Sequence, residues 1–362
     1  MPGDITQIVA DYILTLPPYP KGREWREEEK IVRLSANENA LGPSPVVIEA
    51  VRRSLKYVHR YPDGTGVELR TRLADKWGVS PDEIILGNGS DEIFDLVLKA
   101  CLRPGEEVIM PHPTFAYYRI AAQTAGARCT VVPLRDFRID LGAVAALLGD
   151  TTRLVFLCNP NNPTGTLFTD VEFSDFMASV PSHVVVVVDE AYGDYVEDAR
   201  YPRFSEYMRW DRWIVTAKTF SKFYALAGLR IGYGVAPKEL VAELEKIRQP
   251  FSVNLPALVA ATTALGDESH AAATAAVNAE GKRHLYREFS RLGIKFIPTE
   301  ANFILVDLGA EAAGIQDALV REGVVIRDMR GYGLDGYARI TIGLAEENKR
   351  LVGVLEAWHR RR

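Results

Sequence analysis

Four short segments carry residue types whose chemistry depends on their surroundings. Ser221-Lys222 stands between Thr219-Phe220 and Phe223-Tyr224. An amine in such an aromatic, desolvated setting is favoured in its neutral form, and a neutral amine forms imines with aldehydes; on an open surface it would be an ordinary solvated lysine. Residues 184–188 are all valine and deliver Asp189-Glu190-Ala191-Tyr192. A carboxylate at the end of a buried strand needs a partner, and a protonated ring nitrogen, an arginine or a helix N-terminus would each serve. Residues 154–157 lead into Cys158-Asn159-Pro160-Asn161-Asn162-Pro163-Thr164-Gly165, where two prolines and a glycine force a rigid backbone that holds asparagine amides outward. Residues 84–86 feed Gly87-Asn88-Gly89-Ser90-Asp91-Glu92, a glycine-rich turn whose free N–H groups suit a phosphate or simply cap a helix. Glu92 occupies the third glycine position of a dinucleotide fingerprint, so a nicotinamide site loses support.

The elements that must position these groups follow from hydrophobic pattern. Residues 84–86, 108–110, 154–157, 184–188 and 213–216 are continuously apolar, as expected of parallel strands covered on both faces. Helical patterns lie between them at 91–100, 114–124, 140–148 and 169–179, and an amphipathic helix is expected after Ser44-Pro45, with Val47, Val51 and Leu55 on one face. The expected fold is therefore α/β, with a three-layer α/β/α large domain built on a mostly parallel sheet. Beyond Pro250 the rhythm changes: 255–292 is mostly helical, and strand patterns at 303–306, 324–327 and 338–342 surround a helix at 312–322. A smaller α+β domain is expected there, with boundaries at 46–255 for the large domain and 1–45 plus 256–362 for the arm and small domain. In open α/β sheets ligands gather at the carboxyl ends of strands, where all four segments fall.

Composition excludes several classes. The 362 residues carry 43 basic and 48 acidic side chains, net charge −5, with 47% apolar residues, an ordinary globular balance rather than a disordered or fibrous one. No basic stretch interleaved with aromatics could track a nucleic acid. Cys101, Cys129 and Cys158 are odd in number and lack CxxC spacing, which fits a reducing cytoplasm and no metal site. No apolar run reaches the ~18 residues that span a bilayer, and the start lacks an export signal, so neither membrane insertion nor secretion is expected.

Asn162-Pro163-Thr164-Gly165, Asp189-Glu190-Ala191-Tyr192, Ser221-Lys222 and Arg230 occur together in the order and at the intervals of the fold type I pyridoxal-phosphate aminotransferases, which the chain resembles. Leu34-Ser35-Ala36-Asn37-Glu38-Asn39, Arg60-Tyr61-Pro62-Asp63, Pro113-Thr114-Phe115 and Arg339-Ile340-Thr341-Ile342-Gly343 make it most similar to the histidinol-phosphate aminotransferase branch. The resemblance implies pyridoxal 5'-phosphate as cofactor. Lys222 would hold its aldehyde and shuttle a proton, Asp189 would keep the pyridine nitrogen protonated, and Asn162 and Tyr192 would bond the ring oxygen. Phe115 would stack on the ring, where many members of the branch carry tyrosine. The phosphate would lie at the Ser90-Asp91 helix start, clamped by Ser221 and Arg230, and Tyr61 would reach the neighbouring subunit's site in a homodimer.

For substrate, the resemblance implies Tyr19, Arg23, Asn37, Arg327 and Arg339, with glutamate and 2-oxoglutarate exchanging against histidinol phosphate. An aromatic aminotransferase and a threonine-phosphate decarboxylase are the nearest rivals on the same scaffold. A transcriptional regulator of this fold would need a DNA-binding module ahead of residue 34, where only about 30 residues stand.

Overall fold

The computed structural model describes residues 4–16, 31–210 and 212–360, so Tyr19 and Arg23 lie outside the described residues. The described residues form twelve strands: β1 (Val32–Leu34), β2 (Ile84–Gly87), β3 (Glu107–His112), β4 (Arg128–Pro133), β5 (Thr152–Cys158), β6 (Val185–Asp189), β7 (Trp213–Thr219), β8 (Gly232–Val235), β9 (Lys295–Ile297), β10 (Phe303–Asp307), β11 (Val324–Asp328) and β12 (Tyr337–Thr341). They make a seven-stranded sheet of order β2-β8-β7-β6-β5-β3-β4 and a five-stranded sheet of order β1-β11-β12-β10-β9.

Strands β4, β3, β5, β6 and β7 are mutually parallel, while β8 runs antiparallel to both of its neighbours, β7 and β2. The α/β expectation holds, with one refinement: the strand at 84–87 has only the antiparallel β8 beside it. Continuous apolar runs follow from two-sided burial. Val185 and Val187 pack with Leu154 and Phe156 against the helix Ser90–Cys101, whereas Val186 and Val188 pack with Val155 and Leu157 against the helix Asp170–Ser179. Because side chains alternate along a strand, Asp189 shares the face of Val187 and points toward Tyr118 and the first of these helices.

Local signals set several boundaries. Ser44 caps the helix Pro45–Ser54 by accepting from the Val46 N–H at 3.2 Å. Thr169 and Glu172 form a reciprocal capping box at the start of Asp170–Ser179. The helical stretch expected over 255–292 is two helices, Leu255–Ala264 and Glu268–Arg291, because Asp267 caps the second by accepting from the His270 N–H. The helix expected from 114 starts only at Tyr117, after the proline-bearing loop.

The five-stranded sheet draws its first strand from the N-terminal segment: β1 lies parallel to β11, and Leu34 joins Phe289, Ile304, Ile340 and Leu351 in the core beneath. Beyond β1 the chain is tied down again, since Asn302 Nδ2 donates to the Asn37 carbonyl at 3.0 Å. Asn37 is thereby carried from one sheet to the ends of the strands of the other.

Leu157 is fully buried immediately before the loop that carries Asn162. Leu157→Ala is expected to destabilise the protein by about 3 kcal/mol through lost transfer and a residual cavity, read as a lowered urea midpoint with unchanged slope.

Candidate active site

A cavity of about 370 Å³ lies at the carboxyl ends of β5, β6 and β7, roofed by β1, β11 and β12. It is lined by twelve of the sequence-selected residues: Asn37, Ser90, Asp91, Phe115, Asn162, Asp189, Tyr192, Ser221, Lys222, Arg230, Arg327 and Arg339. Tyr61 does not line it; that side chain is 82% exposed and stacks on Phe251 with ring centroids 4.7 Å apart.

Asp189 ends β6 and is 3% exposed. One carboxylate oxygen accepts from the Ala191 N–H at 2.9 Å and the other from the Tyr118 hydroxyl. No lysine or arginine among the described residues stands within ion-pairing reach, and burial pushes its carboxyl up to about 6. The arginine partner and the helix-cap roles open at the sequence level are therefore both absent, and the carboxylate faces the cavity without a cation. The next residue, Glu190, turns to the opposite side, where it pairs with Lys218 Nζ at 2.9 Å and accepts from the Tyr201 hydroxyl at 3.2 Å. That buried pair fixes the turn between Asp189 and Tyr192.

Lys222 is half-buried, with Nζ donating to the Ala36 carbonyl at 2.9 Å. Loss of solvent, reinforced by the Arg339 and Arg230 guanidiniums, brings its amine down to about 8, from an ordinary value near 10.5. Tyr192 accepts from Asn37 Nδ2 at 2.8 Å, which leaves its own proton free to donate into the cavity. Arg339 Nη1 donates to Asn162 Oδ1, so the Asn162 amide N–H₂ is left to donate elsewhere, and Nη2 holds the Ser35 carbonyl at 3.0 Å. Asn37, selected as a substrate residue, lines the cavity, bonds Tyr192 and Thr341 and has φ +53°, so it also orients Tyr192.

At the other end, the helix Ser90–Cys101 starts behind Gly89, which has φ +78°, and no side chain caps it. A Cβ on Gly89 would stand 2.6 Å from Arg230 Nη2, and one on Gly232 would stand 2.5 Å from the Ser90 nitrogen. Both glycines exist to let Arg230 and β8 close on the bare helix N-terminus. Arg230 reaches Ser221 Oγ at 3.3 Å and Asp91 Oδ2 at 3.4 Å. Because the Asp91 carboxylate is engaged by that guanidinium, its contribution to an anion is its backbone N–H. The result is a phosphate-sized cradle made of a helix N-terminus, a hydroxyl and a planar cation.

The family model for aminotransferase class I and II matches residues 29–355. The chain belongs to that family. It is 43% identical to the histidinol-phosphate aminotransferase of Moorella thermoacetica over 95% of this chain and 91% of that one, and 42% identical to the enzyme of the same name from Symbiobacterium thermophilum over 96% and 98%. Its fold matches the histidinol-phosphate aminotransferase of Sinorhizobium meliloti in complex with pyridoxal-5'-phosphate with a TM-score of 0.89, at 28% identity over 98% of each chain.

Several residues at this aminotransferase site were not singled out in the sequence. Arg33 and Ser35 enter from the N-terminal segment and Tyr332 from the small sheet. Tyr118 bonds Asp189 from the first turn of the helix Tyr117–Thr124, three residues beyond Phe115, a spacing that gave no sign of Asp189.

Two outcomes follow from this geometry. Gly232→Ala drives a Cβ into backbone atoms, and is expected to weaken pyridoxal-phosphate binding at least about tenfold in a fluorescence titration while lowering the melting temperature. Acetylation of cofactor-free protein, followed by peptide mass spectrometry, is expected to show Lys222 half-reactive near pH 8, while exposed lysines stay protonated until well above it.

Proposed function

We propose that this aminotransferase interconverts L-histidinol phosphate plus 2-oxoglutarate with imidazole-acetol phosphate plus glutamate, the reaction of histidine biosynthesis, and that it does so with pyridoxal 5'-phosphate. The observation that carries the reading is the convergence, in one cavity, of a depressed amine, a buried carboxylate lacking a cation and a phosphate cradle. The 43% identity over nearly the whole chain to a histidinol-phosphate aminotransferase selects the substrate.

The donor set fits the cofactor. Asp189 would face its ring nitrogen and hold a proton there; Asn162 Nδ2 and the Tyr192 hydroxyl would donate to its ring oxygen; and Phe115, packed edge-on to Tyr118 at 5.4 Å, would cover one ring face. Arg230, Ser221 and the N–H groups of Ser90 and Asp91 would hold its phosphate. When bound, the cofactor supplies an electron sink for the pair released at the substrate carbon. Lys222, with an amine near neutrality, anchors the group at rest, then takes a proton from the substrate carbon and returns one during transfer. Arg327 and Arg339, opposite one another on β11 and β12, would bind the phosphate of one substrate and a carboxylate of the other in alternation. Tyr19 and Arg23 belong to the same proposed substrate set.

We extend the reading to assembly and location. A homodimer is supported by exposed apolar side chains in the segments next to Tyr61 and to its stacking partner Phe251, namely Leu55, Tyr57, Val58, Val67 and Ile247, which suit a second copy, across which Tyr61 would complete the other site. Residues 46–255 would form the cofactor-binding unit and the remaining segments the arm and small domain. Cytoplasmic location is supported by three free cysteines; no helix among the described residues is long and apolar enough to cross a membrane.

A coupled assay offering histidinol phosphate, phenylalanine and threonine phosphate as amino donors tests the reading. Histidinol phosphate is expected to lead phenylalanine by at least about 100-fold in kcat/KM, and Lys222→Ala to lower kcat by about 10³ or more. Preference for phenylalanine, or carbon dioxide released from threonine phosphate without transfer to 2-oxoglutarate, would overturn it.

A further inference from the structure

We propose that Tyr118 is a positioning residue of the site, whose hydroxyl holds the Asp189 carboxylate ionised and aimed into the cavity. The proposal deepens the reading above and rests on it for the identity of the cation that Asp189 receives.

The geometry is specific. Tyr118 is fully buried, and its ring lies flat on Phe156 at 4.9 Å and edge-on to Phe94 at 5.3 Å and Phe115 at 5.4 Å. Three aromatic contacts fix the ring, and the one polar atom at its end donates to Asp189 Oδ2. Among the described residues Asp189 has two donors, this hydroxyl and the Ala191 N–H. The second comes from the turn itself and restrains the carboxylate near its own backbone, so the outer oxygen depends on Tyr118 for its orientation. The same ring flanks Phe115, so one side chain fixes both the acid and the residue expected to cover the cofactor face.

The surroundings otherwise work against ionisation. The groups that face Asp189 are the Cys158 thiol from β5, the Asp91 carboxylate from the helix Ser90–Cys101 and Tyr192 from its own loop, with Glu190 acting across the sheet from its other side; Lys222, Arg230 and Arg339 line the same cavity. Burial raises the acid, two neighbouring carboxylates raise it further, and the thiol, held well above its usual range, stays neutral. A hydrogen bond from a neutral hydroxyl stabilises the anion and leaves a full negative charge for the ring nitrogen, which an arginine in the same place would cancel. Tyrosine suits the position because its own ionisation is pushed far up by burial and by Asp189, so it remains a donor throughout the working range.

Tyr118→Phe removes the O–H while keeping the ring, and its test is a titration that needs no turnover. Difference infrared spectroscopy of the full chain stripped of cofactor, with Asp189→Asn as the blank, follows the Asp189 carboxyl. The wild-type transition is expected near pH 6 and the Tyr118→Phe transition about one to two units higher, the size of a lost hydrogen bond to a charged group. In the holoenzyme the same variant is expected to lose about tenfold or more in kcat, with KM changed less than about threefold. Phe94→Leu disturbs the packing of Tyr118 without removing a donor; it is expected to lower the melting temperature and leave the Asp189 titration in place. An unmoved titration in Tyr118→Phe, or an equal shift in Phe94→Leu, would overturn the proposal. Both readouts in the stripped protein stand whichever amino donor the enzyme prefers, so failure of the substrate assignment would be seen separately.

Discussion

The interaction on which the site depends is the burial of one carboxylate without a cation. Asp189 ends a strand that is covered on both faces, so its charge sits where solvent cannot reach it, and the chain supplies two hydrogen-bond donors in place of an ion pair. An arginine there would stabilise the folded protein and extinguish the site, because the charge would already be neutralised. The neighbouring Glu190 shows the alternative: one residue further on, the chain gives a buried carboxylate a lysine at 2.9 Å, and that pair does no chemistry but holds the turn. Two adjacent acids thus divide the work by facing opposite sides of the same sheet.

The cavity exists because two sheets share its walls. The large sheet contributes the ends of β5, β6 and β7, and the smaller sheet lays β1, β11 and β12 across the opening. The segment after β1 is the fastening between them. Asn37 accepts an N–H from Asn302 through its carbonyl, receives Thr341 through its side chain and donates to Tyr192, while the Ala36 carbonyl takes the Lys222 amine. A movement of the smaller sheet would therefore be felt at Tyr192 and Lys222 at once, so Arg327 and Arg339 on that sheet are linked mechanically to both side chains.

How much of this was legible in the sequence varies with the length scale of the cause. The apolar runs at 154–157 and 184–188 and their successors Asn162 and Asp189 were readable because two-sided burial removes alternation and the chemistry begins where the run stops. Strand β8 was not readable as Gly-Tyr-Gly-Val, since its glycines answer to the close approach of the Ser90 helix rather than to strand propensity. Strands β1 and β9 are three residues each and owe their existence to partners more than 100 residues or an adjacent hairpin away, β11 and β10. Tyr118 and Arg33 share that difficulty: a tyrosine in an amphipathic helix and an arginine in a short strand acquire meaning only when the fold brings Asp189 and the cavity to them.

The charge content of the cavity completes the argument for its ligands. Lys222, Arg230, Arg327 and Arg339 line the cavity with two carboxylates, Asp91 and Asp189, while Arg33 is paired with Glu38 at 3.0 Å, in a chain whose overall charge is −5. Cations concentrated against the sign of the whole molecule raise the local concentration of anions. Arg230 is built around a helix N-terminus and Arg327 stands directly across from Arg339 on antiparallel strands, an arrangement in which like charges repel. The first suits the phosphate of the cofactor, and in the proposed reading an anionic group of the substrate would ease the second. The arginines thus favour anionic ligands at this site, independently of the chemistry at Lys222.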